Sequence, residues 1–145
     1  MKMQMDRTGV FSLVSIAVLL WASGCSTLHK SDSATLQGTW QGTEIGGKTE
    51  GACYIAFSGN NVDYRGADTN DWCKGTFTLR EDTDPKQIVC VTTACSYPPD
   101  IGQTIHAIYR IEAGTLKVTG NAPGNPDVPS GFEAPGARQF EFRKN

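Results

Sequence analysis

The chain has 145 residues, 39% of them hydrophobic and 19% charged, with 13 Lys plus Arg against 15 Asp plus Glu and a formal net charge of −2. This length bounds the folded part to one domain with a single core. The mild, scattered acidity excludes the basic face that nucleic-acid binding requires, so no nucleic-acid partner is expected.

At the N-terminus, Lys2 and Arg7 are offset only by Asp6 and precede an uncharged, mostly apolar run from Val10 to Trp21. The run is about twelve residues long, whereas a helix needs about twenty to cross a bilayer. It reads as the h-region of a signal peptide. The stretch Ala22-Ser23-Gly24-Cys25 that follows resembles the lipobox of bacterial lipoproteins, with small residues at the two positions before the cysteine. That resemblance implies loss of residues 1–24, a diacylglyceryl group on the Cys25 thiol, and fatty acylation, such as palmitate, of the new amino terminus. Several acyl chains make a stable anchor where one would be marginal. The membrane is thus an expected partner through covalent lipid at Cys25. Ser26, in the position that sorts such lipoproteins, resembles an outer-membrane address facing the periplasm.

Residues 25–34 read as a polar tether, and residues 35–145 as the folded domain. Loss of Lys2, Arg7 and Asp6 with the signal peptide leaves 121 residues and a net charge of −3.

From Leu36 onward the chain is a series of short alternating segments with no convincing helical period. The expected strands are Leu36 to Ile45, Ala52 to Phe57, Asn61 to Arg65, Trp72 to Arg80, Gln87 to Thr93, Thr104 to Glu112, Thr115 to Thr119 and Arg138 to Arg143. Ser58-Gly59-Asn60 and Glu112-Ala113-Gly114 supply tight hairpin turns. Glu81 to Pro85 is a polar turn in which the proline presets its own φ. Alternation places Ile55, Phe57, Val62, Tyr64, Phe77, Leu79, Ile88, Ile105, Ala107, Tyr109, Ile111, Leu116, Val118, Phe140 and Phe142 on one inner face. Eight sequential strands with one apolar face close most simply into an all-β, antiparallel up-and-down barrel without exposed edges.

Within that frame, Gly38-Thr39-Trp40 resembles the G-x-W signature of the lipocalins, in which the Trp closes one end of the barrel and packs on an Arg near the last strand. The resemblance implies that Trp40 closes the barrel with Arg138, or with Arg143 as second candidate. Leu36–Trp40, Gly75–Leu79, Asp84–Lys86 and Ile108–Val118 together resemble an uncharacterised lipocalin-like domain abundant in planctomycete bacteria. That family implies a fold and no activity.

The chain has five cysteines. With Cys25 assigned to lipid, Cys53, Cys73, Cys90 and Cys95 form an even set in an exported chain and are expected as two disulfides. Cys53 with Cys73 and Cys90 with Cys95 is the preferred pairing, because the first two begin strands at one end of the meander and the last two are close in sequence. Cys73 with Cys95 would instead clamp one hairpin and leave Cys53 to Cys90.

Catalytic constellations are sparse. Gly42–Thr49 fits the phosphate-cradling pattern G-x-x-x-x-G-K-[ST], but that motif needs a helix after the loop, and here a strand-like segment follows. The two histidines, His29 and His106, lie in the tether and mid-strand, and the cysteines lack paired C-x-x-C spacing, so no metal site and no cofactor are expected. No serine sits in a nucleophile elbow that His106 could serve. Asp82 and Asp84 fall far short of a calcium cage. No catalytic residues are assigned.

A binding role is the leading expectation. An eight-stranded barrel either fills with side chains or holds one small ligand, and Tyr64, Phe77, Tyr109 and Phe132 are the candidate ligand-binding residues. Phe132 sits in Asn121–Gly136, a long segment with four of the seven prolines, of the unstructured kind that is often functional. The expected partner is a small apolar ligand or an envelope component. The alternative is a protein-binding module, such as an inhibitor of an exported hydrolase, presenting a Cys90–Cys95 loop and the proline-rich loop.

Overall fold

The computed structural model describes residues 30–145; the signal-peptide and lipobox expectations, including Cys25, and most of the tether lie outside the described residues. Eight strands run in chain order: β1 (Gly38–Ile45), β2 (Cys53–Ser58), β3 (Asn61–Arg65), β4 (Trp72–Arg80), β5 (Lys86–Cys95), β6 (Thr104–Glu112), β7 (Thr115–Gly120) and β8 (Arg138–Lys144). Each pairs antiparallel with its sequence neighbours, and β1 pairs with β8 from Trp40 opposite Lys144 to Ile45 opposite Gln139, which closes the sheet. The protein is therefore the all-β, eight-stranded up-and-down barrel that the alternation predicts, with a lipocalin-like architecture. The inner set is also as expected, with Phe57, Phe77, Tyr109, Leu116 and Phe142 at the centre of the core.

Two glycines permit the closure. A Cβ on Gly42 would run into the backbone of Glu141 and Phe142 across the β1–β8 seam, and one on Gly75 would run into the Val91 carbonyl. Gly75 marks a register shift between β4 and β5, the kind of bulge that bends a strand at a barrel corner.

One end of the barrel is closed by a short helix, α1 (Asp32–Leu36). Ser31 caps it, its Oγ accepting from Ala34 N at 3.3 Å. Leu36 is fully buried, and its carbonyl accepts from Trp40 Nε1 at 2.7 Å. Asp32 accepts from Lys86 Nζ at 2.7 Å and from the Tyr109 hydroxyl at 2.8 Å. Residues 32–34, expected in the tether, therefore belong to the folded domain. Their polarity reflects a cap and a buried-side ion pair, and Leu36 plugs the barrel instead of opening a strand.

The closing cation also differs from expectation. Trp40 is buried at the closed end, but the charge over its ring is Lys144, with Nζ 5.3 Å from the ring centroid and 2.7 Å from the Thr35 carbonyl. Arg138 begins β8 at the opposite end, and Arg143 faces outward. The cause is register: Lys144 lies opposite Trp40 and shares the inward parity of Phe140 and Phe142.

The disulfide is Cys73–Cys95, joining register partners on β4 and β5, while Cys53 and Cys90 carry free thiols. The preferred pairing is thus corrected, and so is the count of two bridges. Strand β3 separates Cys53 from Cys73, and β5 runs extended from Cys90 to Cys95, a span of about 16 Å at ~3.3 Å per residue.

After Asn121–Pro123, which border the open end of the barrel, the segment to residue 137 folds back as a strap over the outer faces of β6 and β7, where Ile108 and Thr119 are buried. Thr119 Oγ1 donates to the Phe132 carbonyl at 2.9 Å, and the Arg110 guanidinium lies 4.9 Å from the Phe132 ring centroid.

Candidate ligand-binding cavity

Side-chain size divides the barrel interior along its axis. Toward α1 it is filled: Phe57 and Phe77 meet edge to face at 5.1 Å, with Trp40, Tyr109 and Leu36 nearby in the same core. Toward the other end the inward positions are smaller, among them Ile55, Val62, Gly75, Cys90, Ala107 and Gly120, and a cavity of about 230 Å³ remains. It reaches the open end of the barrel between the Asp71, Ser96–Asp100 and Asn121–Pro123 segments. Its wall is mostly apolar, with aromatic faces from Tyr64 and Phe140, which meet edge to face at 5.5 Å.

A polar network spans one side of the mouth. Arg138 at the start of β8 grips Glu44 in two parallel bonds, Nε to Oε1 and Nη2 to Oε2, each 2.8 Å, and Nη2 also reaches Asp71 Oδ2 at 2.8 Å. The Tyr64 hydroxyl accepts from Arg138 at 3.0 Å and donates to Asp71 at 3.1 Å. The guanidinium lies over the Tyr64 and Phe140 rings, 5.4 and 5.1 Å from their centroids. Such a bidentate pair combines strength with fixed geometry. Hydrogen bonds to Glu44 and Asp71 raise the guanidinium pKa still further, and burial pushes the Tyr64 phenol well up, so Arg138 stays charged and Tyr64 neutral. Burial likewise pushes the Cys90 thiol in the wall up to about 12, so it presents a neutral, weakly nucleophilic surface.

Of the residues singled out in the sequence, Tyr64 lines the cavity and Arg138 stands at its mouth. Phe77 lies deeper in the filled half, Tyr109 is held at the closed end by Asp32, and Phe132 lies on the outer wall. His106 is on the outward face of β6, opposite Val89. Gly46 to Thr49 form a turn into β2 with no helix after it, so the phosphate-loop pattern lacks its cradle. Sequence reasoning missed Glu44 and Asp71. A signal existed for both: counting alternate positions from Trp40 and Cys73 puts these carboxylates inward at the same end, beside Arg138.

Among the described residues no group of three or more His, Cys, Asp or Glu is placed to hold a metal ion, and no helix is long and apolar enough to cross a membrane. Compared with known proteins, the chain matches no family model, no curated protein and no solved structure.

Proposed function

We propose that this is a lipid-anchored envelope lipoprotein whose barrel, without enzymatic activity, binds a small apolar ligand or envelope component in the cavity at its open end. The cavity of about 230 Å³ carries the reading. Protein interiors pack densely, and unfilled apolar space lowers stability in proportion to its volume. A barrel with a purely structural role would gain by filling that space, as this one does at its closed end. An apolar chamber with a few convergent polar groups at the rim is the usual form of a small-molecule site. The alternative, a protein-binding module such as a hydrolase inhibitor, has less support, because Cys90 and Cys95 are not bridged and the proline-rich segment lies against the barrel wall.

The anchor is supported by the short apolar run and the lipobox-like Ala22–Cys25, and Ser26 supports an outer-membrane address facing the periplasm. Native mass spectrometry of protein purified from membranes tests both halves. The expected spectrum carries acyl mass on Cys25 and a released small molecule, and Cys25→Ala moves the protein to the soluble fraction. An empty barrel that no apolar compound stabilises against heat would overturn ligand binding. A Cys25→Ala chain that stays on the membrane would overturn the lipid anchor.

A further inference from the structure

Tyr97 and Asp100 stand on one loop at the cavity mouth, and that loop is held at both ends. The Cys73–Cys95 bridge immediately precedes it. Ser96 N donates to the Trp72 carbonyl at 2.9 Å, Ser96 Oγ accepts from Trp72 N at 3.3 Å, and Gly102 N donates to the Thr92 carbonyl at 2.8 Å. Between these ties, Pro98–Asp100 forms a single 3-10 turn closed by Asp100 N on the Tyr97 carbonyl at 3.1 Å. Two consecutive prolines restrict its backbone further.

Tyr97 is 61% exposed and lines the mouth. Asp100 is half-buried in the cavity lining, and its carboxylate has no hydrogen-bond or ion-pair partner among the described residues. The other charges in the cavity lining are matched. Arg138 is engaged by Glu44 and Asp71, and Lys74 reaches Asp63 at 3.3 Å on the outer wall.

This pattern discriminates by charge. An anionic head entering the cavity would meet the Asp100 carboxylate and find both cations of the lining, Arg138 and Lys74, already engaged. A cationic head finds an unpaired carboxylate and an aromatic face on the same rigid loop, and both attract it. The volume limits the body of the ligand: an apolar cavity of about 150 Å³ holds benzene, so about 230 Å³ accommodates roughly a two-ring system. The Tyr64 and Phe140 faces in the wall favour a flat one.

We propose that the cavity takes an amine-bearing ligand with a flat, roughly bicyclic apolar body, the ring inside the barrel and the ammonium between Asp100 and Tyr97. The assignment rests on the cavity being a ligand site, and it specifies the charge and size of what enters.

Calorimetric titration of the full chain with three probes that share one ring tests it: tryptamine, indole and indole-3-acetate. Tryptamine is expected to bind about two- to fivefold more tightly than indole, and indole-3-acetate more weakly than indole, the range expected of a partly exposed ion pair. Asp100→Asn is expected to bring the tryptamine-to-indole ratio close to one. If indole binds while tryptamine gains nothing, or if indole-3-acetate binds as well as tryptamine, the amine assignment is overturned and the cavity reading stands. If none of the three binds, both fall.

Discussion

Cys90 couples the cavity wall to the stability of the barrel. Burial pushes its thiol up to about 12, whereas an unfolded thiol titrates near 8.5. From about pH 8.5 upward the unfolded chain therefore releases a proton that the folded chain still holds. The unfolded state binds fewer protons there, so stability falls as pH rises, by up to about 1.4 kcal/mol per pH unit for a single group. This contribution is fully present below pH 8.5 and lost by about pH 12. Burial also raises the phenols of Tyr64 and Tyr109, which extend the loss above pH 10. Urea unfolding followed by circular dichroism should give a midpoint that is level to about pH 8 and declines by pH 9.5. Cys90→Val should flatten the interval between 8.5 and 9.5, which lies below the range of the raised phenols; an unaltered slope in that variant would remove Cys90 as the cause. At this scale the sequence was only half informative. Alternation marked Tyr64 as inward, yet the G-x-W resemblance drew Arg138 to the Trp40 end, because the cross-strand register that gives Trp40 to Lys144 is not written in either segment alone.

Elements were more legible than single contacts wherever a period could be counted. Strands β3, β4 and β6 begin and end where alternation and turn chemistry put them, because period-two patterning over five to nine residues leaves one solution once a face is buried. The fifth strand runs on to Cys95 past the register shift, and that extension is what makes Cys73 and Cys95 partners. Helix α1 was invisible for the opposite reason: five residues are too few to display a 3.6-residue period, and Leu36 reads equally well as the start of a strand. Its importance follows from what it fills. Leu36 is fully buried among the closed-end side chains, so Leu36→Ala should destabilise the barrel by about 2–4 kcal/mol, the cost of a core truncation with its residual cavity. A surface tether residue would stay within about 0.5 kcal/mol. Chemical denaturation distinguishes the two outcomes, and a change below 1 kcal/mol would mean that α1 does not plug the barrel.

At the scale of the whole molecule, the barrel is polar in the sense of having two unlike ends. The chain enters at the closed end through α1, and the cavity opens at the other. From Cys25 to Lys30 the chain can span at most about 18 Å, so a lipid on Cys25 would hold the closed end near the bilayer. A nine-residue strand such as β4 is about 30 Å long, and at the usual barrel tilt it raises the mouth about 20 Å or more above that end. The ligand would then enter from the aqueous side and not directly from the lipid. Environment-sensitive maleimide probes on Tyr97→Cys and, separately, on Asn60→Cys at the β2–β3 turn test this in vesicle-bound protein. Cys53 is buried and the Cys90 thiol is held protonated, so the introduced thiols react preferentially. A headgroup-attached quencher should dim the probe at position 60 several-fold more than the one at 97. Equal quenching would overturn this upright orientation, and stronger quenching at 97 would show that the mouth faces the membrane and that the ligand route runs through lipid.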